Sequence, residues 1–579
     1  MSPSAHPPSS SGSTVDETPS RILVPEKLSP DGLALLTDAG FTVDNRPGGL
    51  SADELLNLIP SYHALIVRSE TKVTAEVLSA GSKLRVVARA GVGVDNIDVK
   101  AATSCGIIVV NSPAGNILAA AEHTIALLLA TARNVGKADA GVKAGKWERG
   151  KLVGVEVGSK TLGIVGLGKV GMEVARMAIG LGMKVLGVDP YMSADVVGQK
   201  GVEMVAGLEN LLPVVDFLTI HTPLAASTLN LLGEKEFSMM KKSGRVLNVA
   251  RGGIYNEEAL IKALDEGSIA GAGIDVFTSE PIESGSTAEK LASHPKVVAT
   301  PHLGASTVEA QENVSLDVCT KVVHVLHGDM PREAVNIPLM LPEEYRKLQP
   351  FVGLVERMGD LYTQHFVGER GGMIGGRRFE LIYQGELAGV SNTRPLMAAL
   401  VKGLMSSISD SGGRDVNIVN AGLIAKEKGI SISETHAREG KEMVYASLVT
   451  LRSYAGGEGA EQVIEGFVSG QAVYISRLDK FTANFVPEGT MLLLHNYDEP
   501  GKIGDVGVIL GSHGVNINFM QVASLDQTVL AAGEGNGVKK RKGETEALMI
   551  LGVGGDVTKE VLEQLRRSEG ILDVNLVKL

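Results

Sequence analysis

The sequence predicts an α/β chain in which one parallel sheet with covering helices is interrupted by a second, and in which two α+β units follow. Three observations carry that expectation. Short β-branched runs alternate with helical segments between Arg21 and Asn111, which is the pattern of a parallel sheet. A strand, a tight glycine turn, a helix, a second strand and an acid follow one another from Thr161 to Pro190. Beyond Met491 the order is strand, helix, strand, strand, helix, strand, the order of a ferredoxin-like unit.

In chain order, residues 1–20 are rich in Ser and Pro, lack Lys and Arg and carry Asp16 and Glu17. They read as a disordered tail rather than an Arg-rich transit peptide. Arg21–Pro25, Thr42–Asn45, Ala64–Arg68, Arg85–Ala90 and Ile107–Asn111 read as strands, with helices at Pro30–Ala39, Ala52–Leu58 and Ala75–Ala80 between them. This part, 21–117, is expected to be a flavodoxin-like domain. The apolar helix Ala119–Arg133 and a loop with the single tryptophan, Trp147, precede the glycine turn. A nucleotide-type domain over 118–304 therefore interrupts something already begun, and helix Thr307–Leu326 returns to complete it over 305–335. The two domains would enclose a cleft. Residues 331–350 read as a hinge-like connection. Residues 340–487 carry a Gly-rich stretch at 368–376, a strand at Arg378–Gln384, a helix at Arg394–Ser407 and a mixed tail ending near Lys480, without a catalytic constellation. In 490–579 the elements are Met491–His495, Ile503–Ser512, Val515–Ser524, Ala547–Gly552, Lys559–Arg567 and Leu572–Lys578. The insert Leu525–Thr545 holds the basic tetrad Lys539–Lys542, which no aromatics interleave; it reads as a solvated loop rather than a nucleic-acid patch.

A net charge of −12 over 579 residues argues against broad binding to nucleic acid or anionic membranes. No apolar run is long enough to suggest a transmembrane helix. Cys105 and Cys319, the two cysteines, each have apolar neighbours in sequence. They make neither a disulfide framework nor a metal site, and core packing is the expected role. A reducing compartment, cytoplasmic before plastid, fits this usage.

The glycine turn is the most informative stretch. Leu162–Val165 reads as a buried strand, and Gly166, Gly168 and Gly171 form G-x-G-x-x-G. The first glycine permits the turn, the second lets the backbone approach a pyrophosphate, and the third lets helix and strand pack closely. The helix start offers free N–H groups to the phosphates. Val185–Val188 is the next strand and Asp189 ends it. A carboxylate there accepts the ribose hydroxyls of NAD and repels the 2′-phosphate of NADP. A purely structural glycine turn is the alternative.

Ligands of open α/β sheets sit beyond the carboxyl ends of the strands. Strand Val246–Ala250 is followed by Arg251, strand Gly271–Phe277 contains Asp275 and is soon followed by Glu280, and strand Val297–Thr300 is followed by His302. That set suits hydride transfer from a 2-hydroxy acid. Arg251 can hold a carboxylate bidentately, His302 can take the hydroxyl proton, and Glu280 can fix the imidazole tautomer. Arg68 and Arg89 end strands across the cleft and could bind a second anionic group, with solvated surface charge as the alternative.

These residues stand in the motifs VRSETKVT, ARAGVGVDNID, VVNSPAGN, LGIVGLGKVG, LNVARGG, AGAGIDVFTSEP and TPHLGAST. Together they resemble the D-isomer-specific 2-hydroxyacid dehydrogenase family, in the long form that carries an intervening allosteric-substrate-binding domain and a C-terminal ACT domain. The resemblance spans Arg21 to Leu579. It implies a Rossmann domain inserted in the first domain, and NAD-dependent oxidation of 3-phospho-D-glycerate to 3-phosphohydroxypyruvate, the first step of the phosphorylated route to L-serine. It places the catalytic set on Arg251, Glu280 and His302. Cofactor contacts fall on Gly166, Gly168, Lys169, Val170, Gly171, Asp189, Thr222, Ala250, Arg251, Asp275, His302, Gly304 and Ala305, with Asp275 on the nicotinamide amide. Substrate contacts fall on Arg68, Ser69, Arg89 and Gly93. Val92 stands where some relatives have Thr, so one hydroxyl contact is missing.

Trp147 and Arg149 match a loop that reaches a neighbouring subunit, which implies at least a dimer, with a homotetramer as the expected assembly. The C-terminal NYDEPG and GVNIN resemble a serine-binding ACT unit, with contacts on Asn496, Asp498 and Asn516. Asn496 replaces a His or Tyr of relatives, and a structural role in assembly is the alternative. Arg477 and Lys480 in SRLDKF are candidate contacts for an anionic metabolite. Two rival functions stand beside this reading: a relative acting on hydroxypyruvate, glyoxylate or 2-hydroxyglutarate, and an NAD-sensing interaction protein resembling the family's corepressors.

Overall fold

In a computed structural model of the chain, the structure describes residues 19–331, 333–337, 340, 342–367, 374–408, 416–437, 445–454, 461–525 and 545–579. Most of the N-terminal tail, most of the Gly-rich stretch (368–373) and the basic tetrad Lys539–Lys542 lie outside the described residues.

The first sheet holds β1 (Arg21–Val24), β2 (Thr42–Asn45), β3 (Ala64–Val67), β4 (Val86–Arg89) and β5 (Ile108–Asn111). All pair in parallel in the order β2-β1-β3-β4-β5, the flavodoxin-like order with its switch point between β1 and β3. Caps start the covering helices where the sequence offers them. Ser29 and Thr74 each accept a backbone N–H, and Ser51 with Glu54 forms a capping box. Helix Val308–Leu326, capped by Thr307, lays Val314, Val318 and Val322 into the core made by Ile22, Val24 and Ala88. The chain thus returns to complete the first domain. The segment after it seals the sheet edge: Val335 N–H donates to Val109 O at 2.7 Å, and Asn336 Oδ1 accepts from Val109 N at 2.9 Å.

The second sheet holds β6 (Thr161–Val165), β7 (Lys184–Val188), β8 (Glu203–Met204), β9 (Phe217–Ile220), β10 (Arg245–Asn248), β11 (Gly271–Ile274) and β12 (Val297–Ala299). Its order is β12-β11-β10-β9-β6-β7-β8, all parallel. This is the doubly wound dinucleotide-binding order with one further strand, and its switch point lies between β6 and β9. Helix Ile117–Arg133 joins the two sheets and packs Leu127 and Leu128 against Ile164 and Leu247.

The third sheet corrects the sequence reading, which found one strand and a mixed tail. Six strands are present: β13 (Arg378–Gly385), β14 (Ser431–Ala437), β15 (Ser447–Tyr454), β16 (Gln462–Ser469), β17 (Ala472–Leu478) and β18 (Phe481–Phe485). They run in the order β14-β13-β15-β16-β17-β18, antiparallel except for β13 with β14. The expected hinge at 331–350 is also revised, because helix Pro342–Tyr362 runs through Pro350. The fourth sheet holds β19 (Thr490–Tyr497), β20 (Asn516–Ser524), β21 (Glu546–Gly554) and β22 (Ile571–Lys578) in the order β20-β21-β19-β22. With helices Lys502–Ser512 and Lys559–Arg567 it makes the ferredoxin-like unit. Leu493, Ile550 and Val577 on its other face join the core of the third sheet. Cys319 is buried as expected, but Cys105 is exposed. It caps the exposed end of helix Val99–Ser104, just before the chain enters β5.

Candidate active site

The glycine turn has the geometry its residues demand. Gly166 adopts φ +92°, and a Cβ there would lie 2.6 Å from the His221 carbonyl oxygen. A Cβ on Gly171 would lie 2.0 Å from Gly166 O. Gly168 faces open space, with nothing within 4 Å of a Cβ. Two glycines therefore lock β6, β9 and helix Lys169–Gly180 together, and the third leaves the backbone open to a phosphate. Lys169 and Val170 begin that helix and point their N–H groups at the same space.

Asp189 follows β7 and accepts from Leu167 N and Tyr191 N, both at 2.8 Å. Thr222 follows β9, and its Oγ1 is buried without a partner. Burial pushes the neighbouring His221 down to about 4, so its imidazole is neutral. An open glycine, free helix N–H groups, an orphaned hydroxyl and a carboxylate at the second strand end fit a dinucleotide across this switch point.

Arg251, Glu280 and His302 follow the neighbouring strands β10, β11 and β12. His302 Nδ1 lies 2.7 Å from Glu280 Oε2, and Glu280 Oε1 accepts from Phe277 N at 2.8 Å. Burial acts to raise the Glu280 carboxyl. The hydrogen bonds from His302 and Phe277 outweigh it and hold the group below the usual range. The carboxylate partner places the proton on Nδ1 and leaves Nε2 as the acceptor.

His302 itself sits at φ +54°, a left-handed conformation that a non-glycine residue holds only when its surroundings enforce it. Asp275 supplies that enforcement. It is fully buried and directly follows β11, one residue beyond the strand's end rather than inside it. Its Oδ1 accepts from Leu303 N at 2.7 Å and Thr300 Oγ1 at 2.6 Å, its Oδ2 from Gly304 N at 2.9 Å, and its carbonyl from His302 N at 2.9 Å. His123 Nε2, from helix Ile117–Arg133, reaches Asp275 Oδ1 at 3.2 Å and Thr300 Oγ1 at 3.1 Å.

Arg251 crosses to the first domain. Its Nε lies 3.0 Å from Asp95 Oδ2 and its Nη1 donates to Ala250 O at 2.7 Å. The guanidinium lies over Gly93, where a Cβ would fall 1.8 Å from Nη2. Arg89 follows from β4. Its Nε is buried without a partner, and burial together with the Arg251 charge lowers it to about 10, so it stays cationic at neutral pH. Arg68 follows β3 with Ser69 beside it; no hydrogen bond or ion pair of the Arg68 guanidinium forms among the described residues. The Arg251 and Arg68 charges both act on Arg89, so the three guanidinium groups stand near one another.

The effector candidates are not brought together within one chain. Asn496 pairs with Ala547 and Asn516 with Gly554, at opposite ends of β21. That is roughly 20 Å at the rise of a strand. Asn496 is buried with Oδ1 unpartnered, Asn516 is exposed, and Asp498 N–H donates to Thr545 O at 2.7 Å. Lys480 is ion-paired to Glu546, which His495 Nε2 also meets at 3.0 Å, and Arg477 faces Glu465 at 3.6 Å. Both candidate metabolite cations are therefore engaged. Sequence reasoning missed Glu26, Asp95, Asn96, His123 and Thr300; only the last stood inside a quoted strand end.

A family model described as D-isomer specific 2-hydroxyacid dehydrogenase, NAD binding domain, matches residues 125–304, and one described as D-3-phosphoglycerate dehydrogenase intervening domain matches 347–474. A D-3-phosphoglycerate dehydrogenase of Synechocystis is 40% identical over 97% of this chain and 95% of its own length. One of Archaeoglobus fulgidus is 38% identical over 96% of this chain and 100% of its own. The crystal structure of a putative D-isomer specific 2-hydroxyacid dehydrogenase from Polaromonas is 25% identical. It covers 55% of this chain and 100% of its own, with a TM-score of 0.51. The sheet order agrees with these likenesses, and the chain belongs to the D-isomer specific 2-hydroxyacid dehydrogenase family, in its D-3-phosphoglycerate dehydrogenase branch.

Proposed function

We propose that the protein oxidises 3-phospho-D-glycerate to 3-phosphohydroxypyruvate, the entry step of the phosphorylated route to L-serine. What supports this reading is the placement of charge at strand ends: Arg251, Glu280 and His302 follow the neighbouring strands β10, β11 and β12, Arg251 reaches Asp95 and Gly93 of the first domain, and Arg68 and Arg89 stand at the ends of β3 and β4. A substrate with a carboxylate at one end and a phosphate at the other matches that distribution of charge. Bound NAD supplies the acceptor for the C2 hydride. Arg251 holds the carboxylate and polarises the C2 oxygen. His302 Nε2 takes the hydroxyl proton as the carbonyl forms, and Glu280 stabilises the imidazolium. Asp275 keeps the His302 turn in place; with Gly304 N on its Oδ2, the rim of that turn is where the nicotinamide amide would bind. Arg68, with Arg89 behind it, receives the phosphate.

The test is NADH formation at mildly alkaline pH from 3-phosphoglycerate, D-glycerate, D-lactate and D-2-hydroxyglutarate. A kcat/KM for the phosphorylated acid at least about 10²-fold above the others is expected, the scale of one well-placed charged contact. A preference for an unphosphorylated acid would move the protein to another branch of the family. Because transfer of hydride to NAD is uphill, the reverse reduction is the faster direction in a simple assay.

We also propose a homo-oligomer with L-serine as effector. Trp147 is 84% exposed in the single chain, which supports burial of its loop against a second copy. The separation of Asn496 from Asn516 supports an effector held between two copies rather than within one. Light scattering is expected to give a tetramer. A monomer at micromolar concentration that serine still inhibits would refute the shared site. Among the described residues, no helix is long and apolar enough to cross a membrane.

A further inference from the structure

Glu26 is 5% exposed and forms no ion pair among the described residues, yet both its carboxylate oxygens accept hydrogen bonds. Oε1 accepts from Arg68 N at 2.8 Å and from Thr71 N at 3.0 Å, and Oε2 accepts from Glu70 N at 3.2 Å. The same loop is held from its other side. Asn96 Nδ2 donates to Arg68 O at 2.8 Å and to Thr71 O at 2.7 Å. Two side chains thereby fix both the donors and the acceptors of residues 68–71.

The placement is telling. Glu26 follows β1 and the loop follows β3, the two strands that flank the switch point of the first sheet. That crevice is where such sheets take their ligands. A buried carboxylate is retained only where it is well compensated, and here backbone N–H groups compensate it. Its oxygens accept from the backbone and form no ion pair with Arg68 among the described residues, so the Arg68 guanidinium remains available to an external anion.

We propose that Glu26 is the positioning residue of the substrate's second anion site. Its carboxylate sets the backbone of Arg68–Thr71 so that the Arg68 side chain, beside the unpartnered Arg89 Nε, meets the phosphate. This rests on the reading of Arg68 as a phosphate contact. Glu26 touches neither substrate nor cofactor and acts through the loop alone. Glu26→Gln retains the shape but has one acceptor oxygen where the carboxylate has two, so at least one N–H of the loop is left unpaired and the loop shifts.

The experiment uses the full chain as wild type, Glu26→Gln, Arg68→Gln and the double variant, with Asn96→Ala as a second route to the same loop should Glu26→Gln fail to fold. Steady-state kinetics are measured with 3-phosphoglycerate, D-glycerate and NAD as varied substrates. Glu26→Gln is expected to raise KM for 3-phosphoglycerate about tenfold, with kcat and the KM for NAD within about threefold and D-glycerate unaffected. In the double variant Glu26→Gln is expected to add nothing to the loss from Arg68→Gln. Asn96→Ala is expected to reproduce the KM pattern of Glu26→Gln. A loss shared equally by kcat, NAD and both acids would mark a merely structural residue and overturn the proposal, as would full additivity in the double variant. If Arg68→Gln raises KM and the Glu26 and Asn96 variants do not, the proposal falls and the substrate reading stands. If Arg68→Gln leaves the KM for 3-phosphoglycerate unchanged, the phosphate contact itself is wrong and the proposal falls with it.

Discussion

His302→Gln is expected to lower kcat for 3-phosphoglycerate oxidation by about 10³–10⁴-fold, while NADH binds as tightly as to the wild type. The expectation follows from which nitrogen is committed. Nδ1 is held at 2.7 Å by Glu280, so only Nε2 can receive the hydroxyl proton, and a glutamine in that place offers no group of comparable basicity. The glycine turn, Asp189 and Thr222, which follow β6, β7 and β9, are remote in sequence from residue 302, and the backbone N–H of Gly304 on Asp275 does not depend on the side chain at 302. Glu280→Gln serves as the graded control. An amide opposite Nδ1 can hold the imidazole in the wrong tautomer, and a loss of about 10²-fold is expected. Single-turnover NADH formation and NADH fluorescence titration give the two readouts. A His302→Gln enzyme within about tenfold of wild type would mean that another group takes the proton.

What could be read from the sequence was whatever repeats locally. The parallel sheets announce themselves because strands buried on both faces must be continuously apolar: Ala64–Val67 is buried at every position. The glycine turn is legible because three glycines stand at fixed spacing between a strand and a helix, and two of them, Gly166 and Gly171, have no room for a Cβ. The third sheet escaped for the converse reason. Its edge strand, Ser431–Ala437, has exposed or half-buried residues throughout and carries no apolar signal. The pairing of β16 with β17 shifts register between Glu465 and Gly466, which breaks the alternation that marks an antiparallel strand.

The same distinction runs through the site. Arg251, Glu280 and His302 could be proposed because each directly or closely follows a strand. Glu26, Asn96 and His123 could not, because each acts on a backbone or side chain distant in sequence and belongs to no spacing rule. Asp275 was expected to meet the nicotinamide amide, and the structure gives it a structural role. Its carboxylate secures the turn that carries His302, which no pattern around residue 275 could disclose.

Arg251→Lys is the second large loss, about 10²–10³-fold in kcat/KM. The Arg251 fork is divided by the fold: Nε faces Asp95, Nη1 donates to Ala250 O, and Nη2 lies over Gly93 toward the cleft. A lysine ammonium is a single point of charge. It can keep the pair with Asp95 or reach the substrate, but it cannot hold a carboxylate at two points while its own stem is anchored. Because the contact strengthens as the C2 oxygen becomes a carbonyl, kcat should fall along with the rise in KM. The substrate panel then separates the two ends of the molecule. Arg251 reads the carboxylate that every 2-hydroxy acid shares, so Arg251→Lys should depress 3-phosphoglycerate and D-glycerate alike, whereas Arg68→Gln should depress only the phosphorylated acid. A loss from Arg251→Lys confined to 3-phosphoglycerate would exchange the two assignments, and the substrate would lie in the cleft the other way round.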